Sequence, residues 1–440
     1  GDNGGAHDNN AIITEILTLR AEKAKLLGYP DYASYALAEE TAGTPKEVHR
    51  ILDQLAPAAL AKAKAEAADI QKAIDAQAKA AGTKSFALEP WDWSIYSNQV
   101  RKDKFGFTDA DVKPYFEMDR VLHDGVFFAA NKLYGITFTE RKDLPVYEPT
   151  VRAFEVKDAD GSTLGLILLD YYKRDAKQGG AWMDTFVDQT SLFGDKPVIV
   201  NNLNIPRPAA GEPTLLTFDE VTTMFHEFGH LLHGLFSNAK YPLLSGTAVP
   251  QDFVEFPSQF NEMWARDPAV LANIAKHHKT GEAMPKALLD KVLASKTYGS
   301  GYATLEYLEA ASVDVAWHEV PAAKLPKPDD VMKTEAGFLT KIHASYGPVP
   351  PRYHTPYFNH IFAGGYESGY YAYIWSEVLA RDSGSWFTKH GGLTRANGDA
   401  FRKGILSRGR TAEPSDLFKT FYGKAPEIEP LLEYRGLGKH

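Results

Sequence analysis

The sequence predicts a mainly α-helical fold with one small, mostly antiparallel β-sheet, and two observations support this class. Residues 11–140 and the region from Thr217 onward are rich in helix-forming residues and contain helix-start signals. Residues 141–205 instead hold short runs of β-branched and aromatic residues separated by turn signals. The 440-residue chain is therefore divided into a helical region at 1–140, a β-sheet at 141–205 and a second helical region at 206–440.

The first helical region contains one long helix with a clear start signal. Thr44 can cap this helix, Pro45 suits its first turn, and Glu47 can complete a capping box. Residues 48–80 that follow are rich in Ala, Lys, Leu and Gln, which favour helix formation. Pro57 lies within this stretch and is expected to kink or split the helix, because proline cannot donate a main-chain hydrogen bond.

The sheet region contains two main predicted strands, at 146–156 and 164–170. They are separated by the turn sequence Asp-Ala-Asp-Gly at 158–161. Shorter strands are expected at 186–187 and at 198–200, where apolar β-branched and aromatic residues recur. These strands are expected to form a small, mostly antiparallel sheet.

A run of small residues, Gly179-Gly180-Ala181-Trp182, interrupts the strand pattern. It indicates either a plain hairpin bend or a sheet edge where another backbone comes close. In the second case, Gly180 is a candidate for binding an extended peptide, which would add to the sheet as a further strand.

The composition excludes several classes of function. A net charge of −9 and a pI near 5.9 argue against a nucleic-acid-binding surface. The absence of cysteine excludes disulfides, thiolate metal ligands and a cysteine nucleophile. The sequence contains no apolar run of ~18 residues, so no transmembrane helix is predicted. The polar first ten residues do not resemble a signal peptide and are expected to be a loop or a cut end. We expect a monomer without a nucleic-acid or membrane partner, in the cytoplasm or alternatively the periplasm.

A metal-binding motif is the clearest functional signal in the chain. His226 and His230 are four residues apart in a segment where Thr217 and Glu220 can form a helix-start capping box. On a helix this spacing places both imidazoles on one face, one turn apart, so both can bind one zinc ion. Glu227 follows the first histidine, as the general base does in His-Glu-x-x-His metallopeptidases. The alternative is an amphipathic core helix whose histidines bind no metal.

A third ligand is expected, because catalytic zinc usually has three protein ligands and one open position. Glu255 lies in the first turn of another predicted helix, and Gln259 and Glu262 follow on the same stripe. Either of these two can support Glu255 or a ligand histidine through a hydrogen bond. The alternative for Glu255 is a carboxylate that only stabilises the helix start. His233 is a rival ligand but is expected to pack or to support the site.

Three segments of the sequence resemble the thimet oligopeptidase family of zinc peptidases: FHEFGHLLHGLFS, SGTAVPQDFVEFPSQ and NHIFAGGYESGYYAYIWSEVLARD. The similarity extends along essentially the whole chain. It implies a zincin-like helical fold, with the small sheet beside a deep substrate channel. It also implies one Zn²⁺ per chain, held by His226, His230 and Glu255, with Glu227 as the general base. Members of this family are longer, so the chain is expected to correspond to the catalytic C-terminal portion, without the N-terminal helical part.

The resemblance also implies which residues contact the substrate. It assigns His360, Tyr366 and Tyr373 to positions that face the scissile bond, where their N–H and O–H groups can stabilise an oxyanion. Tyr370 is a weaker candidate on the same stretch. The alternative for these aromatic residues is core packing. Arg352 is a candidate for binding a free C-terminal carboxylate, although an exposed, solubilising arginine would look the same in the sequence.

The function that follows is hydrolysis of peptide bonds in short peptides, with release of C-terminal dipeptides. An oligopeptidase of the same family that cuts internally is the nearest alternative, because the zinc ligands do not distinguish the two. A truncated, inactive zinc-binding helical module is a second alternative. A helical structural protein without a metal is a third.

Overall fold

In the computed structural model, residues 5–342 and 344–438 are described. The chain divides into two compact units. Unit one consists of Gly1–Gly106, Ala294–Trp375 and Leu431–His440. Unit two consists of Phe107–Leu293 and Ser376–Pro430. The first four residues of the polar N-terminal run, on which a loop or cut end was expected, lie outside the described residues.

The described part of the chain forms eighteen α-helices and five β-strands. The helices are α1 (Asn10–Leu26), α2 (Tyr32–Ala36), α3 (Pro45–Ala81), α4 (Trp93–Phe105), α5 (Asp109–Val112), α6 (Met118–Arg120), α7 (Phe128–Tyr134), α8 (Phe218–Leu235), α9 (Gln251–Asn261), α10 (Pro268–Ile274), α11 (Lys286–Ala294), α12 (Ser300–His318), α13 (Val331–Leu339), α14 (Asn359–Phe362), α15 (Ala372–Lys389), α16 (Arg395–Phe401), α17 (Pro414–Tyr422) and α18 (Glu429–Tyr434). The strands are β1 (Thr137–Glu140), β2 (Arg152–Lys157), β3 (Thr163–Tyr172), β4 (Trp182–Val187) and β5 (Val198–Ile205). The prediction of a mainly helical fold with one small sheet is confirmed.

Helix α3 is the longest element of unit one. The Thr44 side chain accepts the main-chain N–H of Glu47, as the start signal predicts. The helix continues through Pro57, so the predicted split is wrong. Pro57 lies on the exposed side, where the carbonyl that loses its partner can bond to water. Helix α12 packs closely on α3, since a Cβ on Gly301 would lie 2.4 Å from the main-chain N of Ala63.

The apolar core of unit one joins three helices. Ile13 and Leu17 of α1 pack with Val313 and Trp317 of α12 and with Val331 of α13, and all five side chains are buried. Helix α12 therefore lies at the centre of the unit and is fixed on several sides.

The sheet belongs to unit two and has the strand order β1-β2-β3-β5-β4. Three neighbouring pairs are antiparallel, whereas β3 and β5 are parallel. The sheet is therefore mixed, although mostly antiparallel as predicted. Strand β2 begins at Arg152, six residues after the predicted start, because Pro145 and Pro149 cannot donate to a ladder. The four residues of β1 lie at the end of the region predicted to be helical.

The sheet supports the helix that carries the metal motif. A Cβ on Gly234 of α8 would lie 2.5 Å from Met183 Cε of β4 and 3.0 Å from Ile199 Cδ1 of β5, so the helix packs closely on the sheet face. Asn201 of β5 also donates a hydrogen bond to the main-chain oxygen of Glu227 at 2.8 Å. Among the described helices, none has the length and apolar character needed to cross a lipid bilayer.

Candidate active site

Helix α8 begins with the capping box that the sequence predicts. Glu220 Oε2 accepts the main-chain N–H of Thr217 at 2.7 Å, and Thr217 Oγ1 accepts that of Glu220 at 3.1 Å. These two bonds satisfy main-chain donors that a helix start otherwise leaves unpaired. The helix start is therefore fixed, and with it the face on which His226 and His230 lie.

Gly229 allows helix α9 to approach α8 closely. A Cβ at this position would lie 2.6 Å from both Pro257 O and Ser258 Cα, which is closer than a real Cβ can come. Asn261 Nδ2 joins the same two helices by donating to Phe225 O at 2.7 Å. This close crossing brings α9 beside the histidines.

Three candidate ligands converge where these helices meet. His226 Nε2 and His230 Nε2 each lie 3.1 Å from Glu255 Oε2, and the ligand atoms of all three residues lie within 4.8 Å of one another. Two atoms bound to one zinc ion at about 2.0–2.2 Å in a tetrahedral arrangement lie about 3.4 Å apart. The group could therefore hold a metal ion, and its two imidazoles and one carboxylate suit zinc.

A second layer of side chains holds the ligands in place. Glu262 Oε1 lies 2.9 Å from His226 Nδ1, and Arg381 Nη2 donates to Glu262 Oε2 at 2.6 Å. Ser258 Oγ donates to Glu255 Oε2 at 2.8 Å. Gln259 contributes its main-chain oxygen, which accepts from Arg381 Nη1 at 3.0 Å. The sequence offered either Gln259 or Glu262 as the side chain that supports a ligand. In the structure, the Glu262 side chain has this position.

The charges in this cluster set the protonation of the ligands. Burial favours the protonated form of Glu262, but the Arg381 charge and the His226 hydrogen bond outweigh it and lower the pKa of Glu262 to about 2. Burial likewise opposes ionisation of Glu255, but the two histidines hold its pKa well below its usual value. An ionised Glu262 accepts the Nδ1 proton of His226, which leaves Nε2 free to bind a metal.

Glu227 lies on α8 beside the first ligand and differs from the other carboxylates. It is 4% exposed, and within the described structure its Oε2 has no hydrogen-bond partner. Burial raises the pKa of Glu227, while the charges of His230 and His226 lower it. A buried carboxylate with a raised pKa holds a proton more readily than a free one, so it can both accept and return a proton, as a general base must.

His233 lies on the same helix but does not join the three ligand atoms. It is fully buried, and neither ring nitrogen has a hydrogen-bond partner in the part of the chain that the structure describes. Burial lowers the pKa of His233 to about 3, so the ring is neutral at ordinary pH. These properties agree with a packing role, which the sequence favoured over metal binding.

Strand β4 lies at an edge of the sheet, with β5 as its neighbour. The loop before it contains Gly180, which has a positive φ of 89° and no atom within 4 Å of an added Cβ. Lys177 Nζ donates to the main-chain oxygens of Asp170 and Leu203, and Asn204 Nδ2 donates to Gly180 O at 2.7 Å. The loop before the edge strand is therefore anchored by hydrogen bonds, and it has free space beside Gly180.

Unit one contains the tyrosine segment, residues 359–375. The rings of Tyr366 and Tyr373 stack at 5.3 Å between centroids, and the His360 ring lies 5.8 Å from Tyr366 and 5.2 Å from Tyr370. Tyr370 is buried, whereas the other three are partly exposed. The structure thus brings together the four residues that the sequence singled out in this segment, and the neighbouring Tyr371 is fully buried.

Arg352 lies near the same cluster. Its guanidinium donates to Glu306 Oε1 at 3.1 and 3.2 Å, and its side chain is 43% exposed. Burial raises the pKa of the Tyr370 hydroxyl to about 12, although the Arg352 charge lowers it. Burial and the Arg352 charge together lower the pKa of His360, which keeps this imidazole neutral with one N–H donor.

Residues 2–437 match Peptidase family M3. The chain belongs to this family. It is 46% identical over 432 residues to the dipeptidyl carboxypeptidase of Escherichia coli, and 43% identical to that of Salmonella typhimurium. It is 41% identical to the oligopeptidase A of Escherichia coli. The similarity on which the family was predicted is confirmed.

The aligned part covers nearly all of this chain but less of its relatives. It covers 98% of this M3 chain and 62% of the Escherichia coli dipeptidyl carboxypeptidase, and 99% of this chain and 64% of the oligopeptidase A. The chain thus spans somewhat under two thirds of the length of the curated relatives it matches.

Solved structures share the fold of the M3 chain at low sequence identity. An M32 carboxypeptidase from Deinococcus radiodurans R1 matches with a TM-score of 0.58 and 14% identity, covering 96% of this chain and 73% of that one. Trypanosoma cruzi metallocarboxypeptidase 1 matches with a TM-score of 0.52 and 11% identity, covering 97% and 74%. The zincin-like helical fold expected from the sequence is confirmed.

Several supporting residues of the M3 chain were missed in the sequence. Ser258 lies one helical turn after Glu255, so its spacing could have indicated the hydrogen bond to that ligand. Arg381 is 119 residues from Glu262, and no local pattern connects them. Asn201 and Asn261 bond to main-chain oxygens of α8, a contact that likewise depends on the tertiary fold.

Proposed function

We propose that the chain is a zinc-dependent peptidase that releases C-terminal dipeptides from short peptides. The observation that supports this most strongly is the convergence of two imidazoles and a carboxylate beside Glu227, which is buried and whose Oε2 has no hydrogen-bond partner among the described residues. Zinc is the metal that such a donor set favours in hydrolases, and the fourth position stays available for water. One zinc ion per chain is proposed.

The residues of the metal centre have separate tasks in this proposal. His226, His230 and Glu255 hold the metal, which when bound lowers the pKa of water and polarises the peptide carbonyl. Glu227 removes the proton from the attacking water and delivers it to the leaving amine. Glu262 keeps the His226 ring in the orientation and tautomer that metal binding needs.

The tyrosine segment is proposed to supply hydrogen-bond donors to the substrate. The family resemblance assigns this role to His360, Tyr366 and Tyr373. Their partial exposure and their clustering support it, because donors must be within reach of the reacting carbonyl. Tyr370 is buried, which favours a packing role beneath them.

An extended peptide is proposed to bind as an added strand along the edge strand β4. Gly180 leaves room beside the start of this strand, and the loop that contains it is anchored by Lys177 and Asn204. Main-chain hydrogen bonds would then provide affinity with little dependence on sequence. Arg352 remains a proposal for binding the terminal carboxylate, which would have to share the guanidinium with Glu306.

Release of dipeptides is favoured over internal cleavage because two relatives called dipeptidyl carboxypeptidase have the highest identities among those compared above. The similarity to oligopeptidase A at 41% keeps internal cleavage as the second candidate. A single octapeptide, prepared as the free acid and as the C-terminal amide, distinguishes them in the presence of zinc. A dipeptidase should cleave the free acid at least about tenfold faster, because a lost charge-assisted bond costs about 1.5–3 kcal/mol.

Two variants complete this experiment. Glu227→Gln should lower kcat by about 10²- to 10⁴-fold, the contribution of general base catalysis, while zinc content stays at one per chain. Glu212→Gln, which changes an exposed carboxylate, is the control.

Equal cleavage of acid and amide peptides would favour the internal oligopeptidase. Stoichiometric zinc without any turnover would instead favour an inactive module. The cytoplasmic location and the monomeric state stay predictions.

A further inference from the structure

The tyrosine segment contains a strained turn that lies entirely within unit one. Ser368 has a φ of 58° and is the only non-glycine residue with a positive φ in the part of the backbone that the structure describes. This left-handed conformation is unfavourable for residues with a Cβ and persists only where surrounding contacts impose it. Ser368 lies between Tyr366 and Tyr370, so its conformation sets the direction in which the segment leaves the turn.

A buried carboxylate imposes this turn. Asp314 of α12 is fully buried, and its Oδ1 accepts the main-chain N–H of Ser368 while its Oδ2 accepts that of Tyr370, both at 2.9 Å. The two bonds hold the N–H of the strained residue and the N–H of Tyr370 against one carboxylate. A carboxylate is well suited to this, because both of its oxygens accept hydrogen bonds.

Asp314 is itself held by a chain of hydrogen bonds. Arg20 Nη1 lies 2.9 Å from His318 Nε2. A guanidinium can only donate, so Nε2 of His318 accepts and the ring proton lies on Nδ1. His318 Nδ1 donates to the main-chain oxygen of Asp314 at 2.9 Å and lies at the same distance from its Oδ1. Arg20 also donates to Ile361 O at 2.6 Å, at the other end of the same segment.

A second residue of α12 holds the far side of the turn. The Tyr307 hydroxyl donates to the main-chain oxygen of Tyr370 and accepts the N–H of Ile374 at 3.2 Å. Helix α12 therefore binds the segment at the strained residue and after it. The helix is fixed in turn by the apolar core that it shares with α1 and α13.

We propose that Asp314 is a positioning residue for catalysis: it holds the Ser368 turn so that Tyr366 and Tyr373 present their hydroxyls to the substrate in one fixed arrangement. This inference rests on the proposed function of those two tyrosines. Fixed donors act mainly on the transition state, and a misplacement of about 1 Å can cost about 10²-fold in rate. Loss of Asp314 should therefore lower kcat and leave KM nearly unchanged.

Asp314→Asn tests the proposal with little change in side-chain volume. An amide has one carbonyl oxygen, so it can keep one of the two main-chain bonds and must place its NH₂ against the other. We expect kcat of the zinc-loaded chain to fall about 10- to 100-fold, with KM changed by less than about threefold. Hydrogen exchange at the amides of Ser368 and Tyr370 should become about tenfold faster or more, which reports the turn independently of activity.

Glu66→Gln is the matched control. Glu66 also receives two main-chain N–H groups, from Gly301 at 3.0 Å and Tyr302 at 2.9 Å, but these belong to the start of α12 and not to the tyrosine segment. This variant should change kcat by less than about twofold. An equal loss of kcat in both variants would mean that any lost carboxylate has this effect, and would overturn the proposal.

A rescue variant tests the strain directly. Ser368→Gly should restore part of the lost kcat in the Asp314→Asn background, because glycine adopts positive φ without a steric cost. If Asp314→Asn does not fold, Tyr307→Phe replaces it, with an expected kcat loss of about three- to tenfold. A folded Asp314→Asn or Tyr307→Phe protein with wild-type kcat would overturn the inference. If Tyr366→Phe and Tyr373→Phe also leave kcat unchanged, the proposed donor role itself has failed.

Discussion

The metal helices α8 and α9 and the tyrosine segment are two parts of the M3 chain that acquire their geometry in opposite ways. In the metal helices, regular backbone and a spacing of four residues place His226 and His230, and a glycine allows the second helix to come close. In the tyrosine segment, an irregular turn includes a strained residue, and buried side chains from α12 hold it. Local geometry therefore places the two histidines, whereas the tyrosine segment depends on distant contacts.

This difference predicts that the two regions can be disrupted separately. Damage to the tyrosine segment should reduce catalysis without affecting metal binding. Damage to the crossing of α8 and α9 should reduce stability and metal binding together, because the ligands come from both helices.

Removal of the donor hydroxyls should have the largest effect. Tyr366→Phe and Tyr373→Phe should each lower kcat by about 10²- to 10³-fold, the usual loss for one oxyanion donor, while zinc content and unfolding free energy stay close to wild type. Steady-state kinetics and metal analysis measure both quantities. Tyr371→Phe, a buried neighbour in the same segment, is the control and should keep kcat within about threefold. A loss of zinc in the Tyr366 or Tyr373 variants would contradict the separation of the two regions.

Separation of the two metal helices should have the next largest effect. In Gly229→Ala the added Cβ would lie 2.6 Å from main-chain atoms of α9, which cannot move independently. We expect the unfolding free energy to fall by about 1–3 kcal/mol, as in overpacked cores, and zinc affinity to weaken with it. Urea unfolding and a chelator competition measure these changes.

Gly234→Ala is the matched comparison on the same helix. Its added Cβ would lie 2.5 Å from the flexible end of the Met183 side chain. Both substitutions gain the same helix propensity, about 1 kcal/mol for alanine over glycine. Gly234→Ala should therefore be less destabilising, and equal losses in the two variants would show that the α8–α9 crossing is not specially sensitive.

Replacement of His233 should have the smallest effect, and only in acid. Its pKa of about 3 in the folded chain lies below the ordinary value of 6.5. As the pH falls, the His233 ring is therefore protonated in the unfolded chain before it is protonated in the folded chain. This group does not lower the unfolding free energy above about pH 6.5, and it lowers it progressively below that pH. Each pH unit in this window costs about 1.4 kcal/mol.

The metal-free chain is the form in which to measure this effect, since acid also displaces metal from histidine. Between about pH 6.5 and pH 5, the unfolding free energy of wild type should fall by about 2 kcal/mol more than that of His233→Leu. Urea unfolding at several pH values provides the comparison. Parallel pH curves for the two proteins would mean that His233 is hydrated or paired and not buried as a neutral ring.

The sequence by itself determined the metal motif and its helix. His226 and His230 share a face because an α-helix has 3.6 residues per turn, and Glu227 directly follows the first of them. The helix starts at Thr217 because a capping box needs only residues three apart. The composition also identified the sheet region and the absence of thiolate ligands, since these follow from residue types alone.

The tertiary structure decided what depends on residues distant in the sequence. The parallel pairing of β3 with β5 brings together strands that have β4 between them in the chain. Arg381 reaches Glu262 across 119 residues, and Asp314 reaches Ser368 across 54. These contacts have no local pattern, because the free energy that favours them comes from burial and hydrogen bonds that exist only after the chain has folded.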